Sequence, residues 1–248
     1  MISDLSGSTL PFPLLKRALA VYSIDTDPDE PAVVNFLLKV VGQGTARLAS
    51  LQPEDMTSVI GPLGNGFDIT AARGKTNLLV AGGTGIASVY LLARQLLSEG
   101  EDVRLAYGGG SRSDLVCLED FCNLKIPVQA TTEDGSFGIA GLVTEGLRAL
   151  ASGLARDQLN LYTCGPNAMM KAVGQFAEEH NVPCQISVEV RMGCGFGVCL
   201  GCSVKTVSGY RLACFHGPVF DSREFIWEPN GIGIDASESQ GTGNRSVC

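Results

Sequence analysis

Four cysteines in the last quarter of the chain are the residues whose type and spacing point most directly to chemistry. Cys194, Cys199, Cys202 and Cys214 read C-x4-C-x2-C-x11-C, the order in which plant-type [2Fe–2S] clusters are held by four thiolates. Gly193, Gly195, Gly197 and Gly201 are interleaved with them, and glycine there lets the backbone wrap closely and aim its N–H groups at sulfur. Zn²⁺ takes the same ligands, but a zinc ribbon calls for a C-x2-C knuckle on each side, and only Cys199 and Cys202 form one. A set of metal-free thiols is the third reading.

A second group of candidates is made of backbone. Gly82-Gly83-Thr84-Gly85 sits between a predicted strand and a predicted helix, where amides and the helix dipole receive a pyrophosphate. The fingerprint is incomplete. Ser88 stands where a third glycine would be, and the next strand ends in Gly108-Gly109-Gly110-Ser111-Arg112 instead of an acid suited to a ribose. Cys164-Gly165-Pro166 follows a later strand and opens a helix, which puts it on the same carboxyl edge, where open α/β sheets bind ligands. Tight strand–helix packing and a buried small Cys164 are the plain alternatives. Arg17 before one strand and Gly42-Gln43-Gly44-Thr45 after another place a cation and amides around a second phosphate, or are ordinary turn chemistry. The two histidines, His180 and His216, fit no Ser/His/Asp set or metal-ligand spacing and read as structural.

The elements that must position these groups follow from pattern. Residues 1–16 are irregular, runs 18–24 and 33–41 read as strands, and residues 17–70 are predicted to be an antiparallel β module. From Lys75 the rhythm changes. Strands at 77–81, 103–107, 127–131 and 159–163 alternate with helices at 86–98, 139–152 and 166–180, which implies a parallel sheet covered by helices. A last strand is expected at 185–190, and the Gly- and Cys-rich run 192–220 is too small for its own core unless a metal staples it. Residues 229–248 lack apolar periodicity and read as a disordered tail.

Composition excludes several classes. The 248 residues carry a net charge of −8, the wrong sign for a nucleic-acid binder. The longest uncharged stretch, 76–93, is interrupted by its glycines and falls short of the roughly 20 apolar residues of a membrane span. The first residues carry an acid where a signal peptide is basic. Nine cysteines, an odd number without an export signal, argue for metal or redox use in the cytoplasm.

The order of these features resembles the electron-transfer subunit of bacterial NAD-type (class 1B) dihydroorotate dehydrogenase, a family of ferredoxin-reductase-like iron–sulfur flavoproteins. The likeness runs from about Pro13 to Trp227, through Val59 to Phe67, Val188 to Cys202 and Cys214 to Phe220. It implies a multidomain α/β fold: an antiparallel FAD-binding β-barrel over 1–72, a parallel NAD-binding α/β domain over 73–186, and a small [2Fe–2S] domain over 187–228, before the tail at 229–248. The barrel is expected to be shortened, because only sixteen residues precede Arg17. The family's Arg-Pro-x-Ser flavin motif falls on Arg17-Ala18-Leu19-Ala20, with Arg17 expected at the FAD phosphates and the serine hydroxyl missing at Ala20. Leu37, Leu38 and Lys39, with Gly44 and Thr45, match the next flavin-contacting strand and turn; Lys39 keeps a charge but lacks the fork of the family's usual arginine.

By the same resemblance, Gly82 to Gly85 and Cys164 to Pro166 would receive NAD(H), the four cysteines would hold the cluster, and no catalytic side chain is required because cofactors carry the chemistry. Electrons would pass between NAD(H) and an FMN-containing dihydroorotate dehydrogenase catalytic subunit in pyrimidine biosynthesis, within a heterotetramer of two subunits of each kind. No nucleic acid or membrane partner is expected. A small subunit of a ferredoxin:NADP or sulfide-type oxidoreductase shares most of these motifs, and a non-catalytic zinc-binding interaction module is the alternative from another class.

Overall fold

The run Thr76–Gly82 is buried at every position, as befits a central parallel strand covered on both faces. The computed structural model describes residues 1–4, 15–228 and 231–232. In chain order its strands are β1 (Ile2–Asp4), β2 (Val21–Asp25), β3 (Val33–Phe36), β4 (Thr57–Val59), β5 (Thr76–Gly82), β6 (Asp102–Gly109), β7 (Val128–Thr132), β8 (Ile139–Ala140), β9 (Leu159–Cys164), β10 (Cys184–Ser187), β11 (Ser203–Thr206), β12 (Gly209–Leu212), β13 (Val219–Asp221), β14 (Trp227–Glu228) and β15 (Gly231–Ile232). The α-helices are α1 (Gln43–Ala49), α2 (Ala87–Ser98), α3 (Leu118–Asn123), α4 (Val143–Ala151) and α5 (Asn167–Glu179).

One seven-stranded sheet runs β13-β10-β9-β5-β6-β7-β8. Its strands are parallel except β13, which pairs antiparallel with β10. Side chains of successive residues go to opposite faces: Leu78 and Val80 join a core with α4 and α5, whereas Leu79 and Ala81 join one with α2 and α3. The chain leaves β5 towards β6, then returns to β5's other side as β9, so the order reverses between β5 and β9. Such a reversal opens a crevice at the carboxyl ends of the two strands.

The cluster segment is fastened to this sheet. It leaves from β10 and re-enters as β13, and Cys202, Val204, Ala213, Cys214 and Phe220 are buried in the same core as Leu161 and Ile186. Ahead of the sheet lie two antiparallel ribbons, β1 with β4 and β2 with β3; no closed barrel forms among the described residues. Tyr22 of β2 stacks on Tyr90 of α2 with ring centroids 4.6 Å apart, and its hydroxyl donates to Asp120 of α3.

Several elements differ from their sequence-based expectation. The strand predicted over 33–41 stops at Phe36, which pairs with Val21 at the very start of β2, so the apolar residues beyond it have no partner strand. They lead instead into α1, whose entry is fixed by the Thr45 hydroxyl accepting from the N–H groups of Val41 at 2.9 Å and Gly42 at 3.2 Å. The helix predicted from 139 begins at Val143, because Ile139–Ala140 pairs with β7 and Gly141, at φ 130°, breaks the run. The strand predicted over 185–190 is Cys184–Ser187. Within the predicted tail, Gly231–Ile232 pairs with β14; residues 229–230 and 233–248 lie outside those described. No helix among the described residues is long and apolar enough to cross a membrane.

Candidate functional site

The four cysteines come together in two pairs. The Cys202 and Cys214 sulfurs are 3.3 Å apart and both residues are buried. Cys194, half-buried, accepts from the N–H of the exposed Cys199 at 3.4 Å. Gly197 donates its N–H to the Cys214 sulfur at 3.1 Å, and Cys214 donates to the Cys202 sulfur at 3.5 Å. N–H groups of Phe196 and Cys199 pull the Cys194 thiol down to about 6, while burial pushes Cys214 up to about 11. A Cβ on Gly193 would stand 3.1 Å from the Cys199 sulfur, so glycine keeps the approach to that sulfur open. Among the described residues, no three Cys, His, Asp or Glu side chains converge on one ion position.

Neighbouring chain segments hold this loop. Asn65, in the turn at 61–66, donates its backbone N–H to the Gly217 carbonyl at 2.6 Å, and its side-chain amide donates to the carbonyls of Phe215 and His216, each at 3.1 Å. The His216 Nδ1 accepts from the Leu212 N–H at 2.9 Å, and the His180 ring nitrogen contacts the Phe176 carbonyl at 2.8 Å. Both histidines thus fasten local backbone. Around the cysteines, Phe196, Val198, Leu200 and Phe215 are exposed apolar side chains.

At the β5/β9 reversal, Gly82 to Gly85 and Cys164 to Pro166 are in direct contact. A Cβ on Gly85 would lie 2.3 Å from the Cys164 carbonyl oxygen, and one on Gly82 would lie 2.6 Å from the Met169 sulfur. Cys164 is fully buried and its sulfur lies 3.9 Å from a Glu189 carboxyl oxygen. Burial and the Glu189 charge push its thiol up to about 12, and burial raises Glu189 as well. Sequence reasoning missed Glu189; its only signal was an acid flanked by Val188 and Val190.

In the N-terminal region, Arg17 and Gly44 meet. The Arg17 side chain donates to the Leu15 carbonyl and covers the first turn of α1 so closely that a Gly44 Cβ would fall 2.0 Å from its Nη2. Thr45 is in the same turn. Ala18 and Ala20 are exposed and Leu19 half-buried on the approach to β2. Leu37 and Leu38 are half-buried and Lys39 exposed, all on the irregular segment between β3 and α1.

A parallel sheet with a crevice at its reversal point, followed by a four-cysteine loop, defines an oxidoreductase of the ferredoxin-reductase type with an iron–sulfur segment. Two family models match: the oxidoreductase NAD-binding domain over residues 79–175 and the iron–sulfur cluster binding domain of dihydroorotate dehydrogenase B over residues 189–226. The chain is 35% identical over 221 residues to the dihydroorotate dehydrogenase B (NAD(+)) electron transfer subunit of Desulforamulus reducens, covering 87% of this chain and 82% of that protein. It is 37% identical over 218 residues to the subunit of the same name from Bacillus caldolyticus, covering 86% and 81%. Among solved structures, the NADH-dependent reduced ferredoxin-NADP oxidoreductase is similar with a TM-score of 0.73 and 30% identity, over 85% of this chain and 74% of that one. The ferredoxin reductase of carbazole 1,9a-dioxygenase shares the fold, with a TM-score of 0.60 and 22% identity over 74% and 55%. The chain belongs to the family of dihydroorotate dehydrogenase B electron-transfer subunits.

Proposed function

We propose that this chain relays electrons between NAD(H) and the FMN-containing catalytic subunit of a dihydroorotate dehydrogenase, in pyrimidine biosynthesis in the cytoplasm. The observation that carries the reading is the thiol arrangement: two sulfur pairs with backbone N–H donors aimed at them, in the segment matched by the cluster-binding family model. Cys194, Cys199, Cys202 and Cys214 would hold a [2Fe–2S] cluster, with FAD in the unit over 1–72 and NAD(H) in the unit over 73–186. A bound cluster passes electrons singly, and a bound FAD couples that flow to hydride exchange with NAD(H).

The chain's own residues orient and insulate. The Gly197 and Cys199 N–H groups favour the thiolate forms of Cys214 and Cys194. Gly82, Gly83 and Gly85 admit a pyrophosphate close to the backbone, and Arg17 beside Gly44 and Thr45 supplies the cation for the FAD phosphates. The Cys164 thiol, pushed up to about 12, stays neutral and closes the floor of the crevice against water. Phe196, Val198, Leu200 and Phe215 form an apolar rim beside the cysteines, the kind of surface a permanent partner covers. We assign that rim to the catalytic subunit, in a heterotetramer with two subunits of each kind.

An anaerobic visible spectrum with iron, acid-labile sulfide, zinc and released flavin measured on one sample tests this reading. Iron and sulfide in equal amounts together with flavin are expected; a colourless zinc protein would overturn it. The 30% identity to the NADH-dependent ferredoxin-NADP oxidoreductase favours one second reading, a partner that serves ferredoxin. Reduction of the chain by dihydroorotate in the presence of its co-purified partner separates the two.

A further inference from the structure

Two of the glycines in the β5 turn are held by what surrounds them, and one is not. Gly82 and Gly85 are hemmed in by Met169 and by the Cys164 carbonyl. Gly83 has φ 53° and no atom within 4 Å of the place a Cβ would occupy, so no packing of its own holds it, and within its segment it is fixed only as the first residue of a short 3-10 turn over Gly83–Ile86. What reaches it is a hydroxyl. Tyr107 of β6 is fully buried, and its oxygen lies 3.0 Å from the Gly83 carbonyl oxygen, with the carbonyls of Asp114 and Val116 each at 3.2 Å. Burial raises the phenol's pKa, so the group remains a donor at any working pH.

A trans peptide is planar, with its C=O and the following N–H pointing in opposite directions. A Gly83 carbonyl drawn into the protein therefore turns the Thr84 N–H the other way, out of the protein at the sheet's carboxyl edge. First-turn amides have no partner within their helix, and they are the groups an anion meets there.

We propose that Tyr107 is a positioning residue for the coenzyme: its hydroxyl locks the Gly83–Thr84 peptide so that the Thr84 N–H faces the pyrophosphate of NAD(H). The inference rests on the assignment of this turn to NAD(H). Tyr107 touches neither coenzyme nor reacting atoms, and it acts through one carbonyl.

The test is Tyr107→Phe in the complete, cofactor-loaded chain, with NADH as donor and ferricyanide as acceptor. Removing the lock is expected to raise KM for NADH about tenfold with kcat held within about twofold, to leave iron, sulfide and flavin content unchanged, and to speed amide hydrogen exchange at residues 83–86. An unchanged KM, or a loss confined to kcat, overturns the inference while wild-type NADH oxidation keeps the functional reading standing. Wild-type protein that neither oxidises nor binds NADH sinks both. Should the variant not fold, the wild-type chain still decides: NADH must slow hydrogen exchange of the Thr84 amide, and an unaffected amide overturns the inference.

Discussion

The cluster segment and the β5/β9 crevice are built on opposite plans. In the first, function would rest on side-chain identity: four sulfurs, carried on a loop that turns through Gly195 and Gly197 at φ 87° and 85°. In the second it rests on backbone, and the glycines are needed because a Cβ at Gly85 would collide with the Cys164 main chain at 2.3 Å. A site of the first kind should fail when a residue changes its chemistry, and a site of the second kind when a residue gains volume.

The largest effect is expected from Cys202→Ser. Serine nearly matches cysteine in size but is a poor iron ligand, and Cys202 sits buried with its sulfur 3.3 Å from that of Cys214. Iron and sulfide should fall to background and electron exchange with the catalytic subunit should cease, while NADH oxidation by ferricyanide persists. If that activity vanished too, the two regions would not be separable as argued. The mirror experiment is Gly85→Ala. The atoms in its way are backbone, so the β5 turn and the end of β9 must part, at a cost of about 1–3 kcal/mol. KM for NADH should rise more than about tenfold, with the cluster spectrum intact.

The same contrast explains what was legible in the sequence. The four-cysteine pattern could be read from type and spacing alone, and the fully buried strands β5 and β9 from short runs rich in apolar residues that lead into glycine. The direct approach of Gly85 to Cys164 could not be read, because it depends on two strands some eighty residues apart being neighbours, which the sheet order alone supplies. Helix α1 was hidden for a local reason: a seven-residue helix entered through Gly42 and Gly44 carries turn residues where a helix signal was sought. The hairpin β11–β12 and the return strand β13 were hidden because they lie in a glycine-rich stretch with no long apolar run, and they are fixed by packing on the sheet's core. Tyr107 offered no signal, since a tyrosine in a strand reads as ordinary filling.

How firmly the cluster segment is tied to the sheet sharpens the comparison further. Asp221 ends β13, and hydrogen bonds from Arg223, at 2.9 Å from its N–H and 2.8 Å from its Nε, hold the carboxyl below its usual pKa. A depressed carboxylate stabilises the fold above its unfolded pKa of about 4 and loses that contribution as pH falls through the folded value. Asp221→Asn should therefore melt lower than wild type at pH 7, with the gap closing in acid. Because Arg223 is 73% exposed, the gap should be under about 1 kcal/mol. A gap that widened in acid would show that another group fastens the strand.

The smallest effect is the most discriminating. Gly201 lies between Cys199 and Cys202, yet a Cβ there would meet the Cys199 sulfur at 3.6 Å, an ordinary contact, and its φ lies outside the left-handed region. Gly201→Ala should leave iron content and the visible spectrum unchanged and shift the melting temperature by no more than about 2 °C. Gly85→Ala and Gly201→Ala make the same chemical change, one methyl group, in the two regions. If backbone crowding governs the crevice and sulfur identity governs the cluster, only the first is damaging. If the cluster is lost on adding that methyl group, the glycines of the cysteine loop do more than stand aside, and the loop must close on its sulfurs more tightly than 3.6 Å implies.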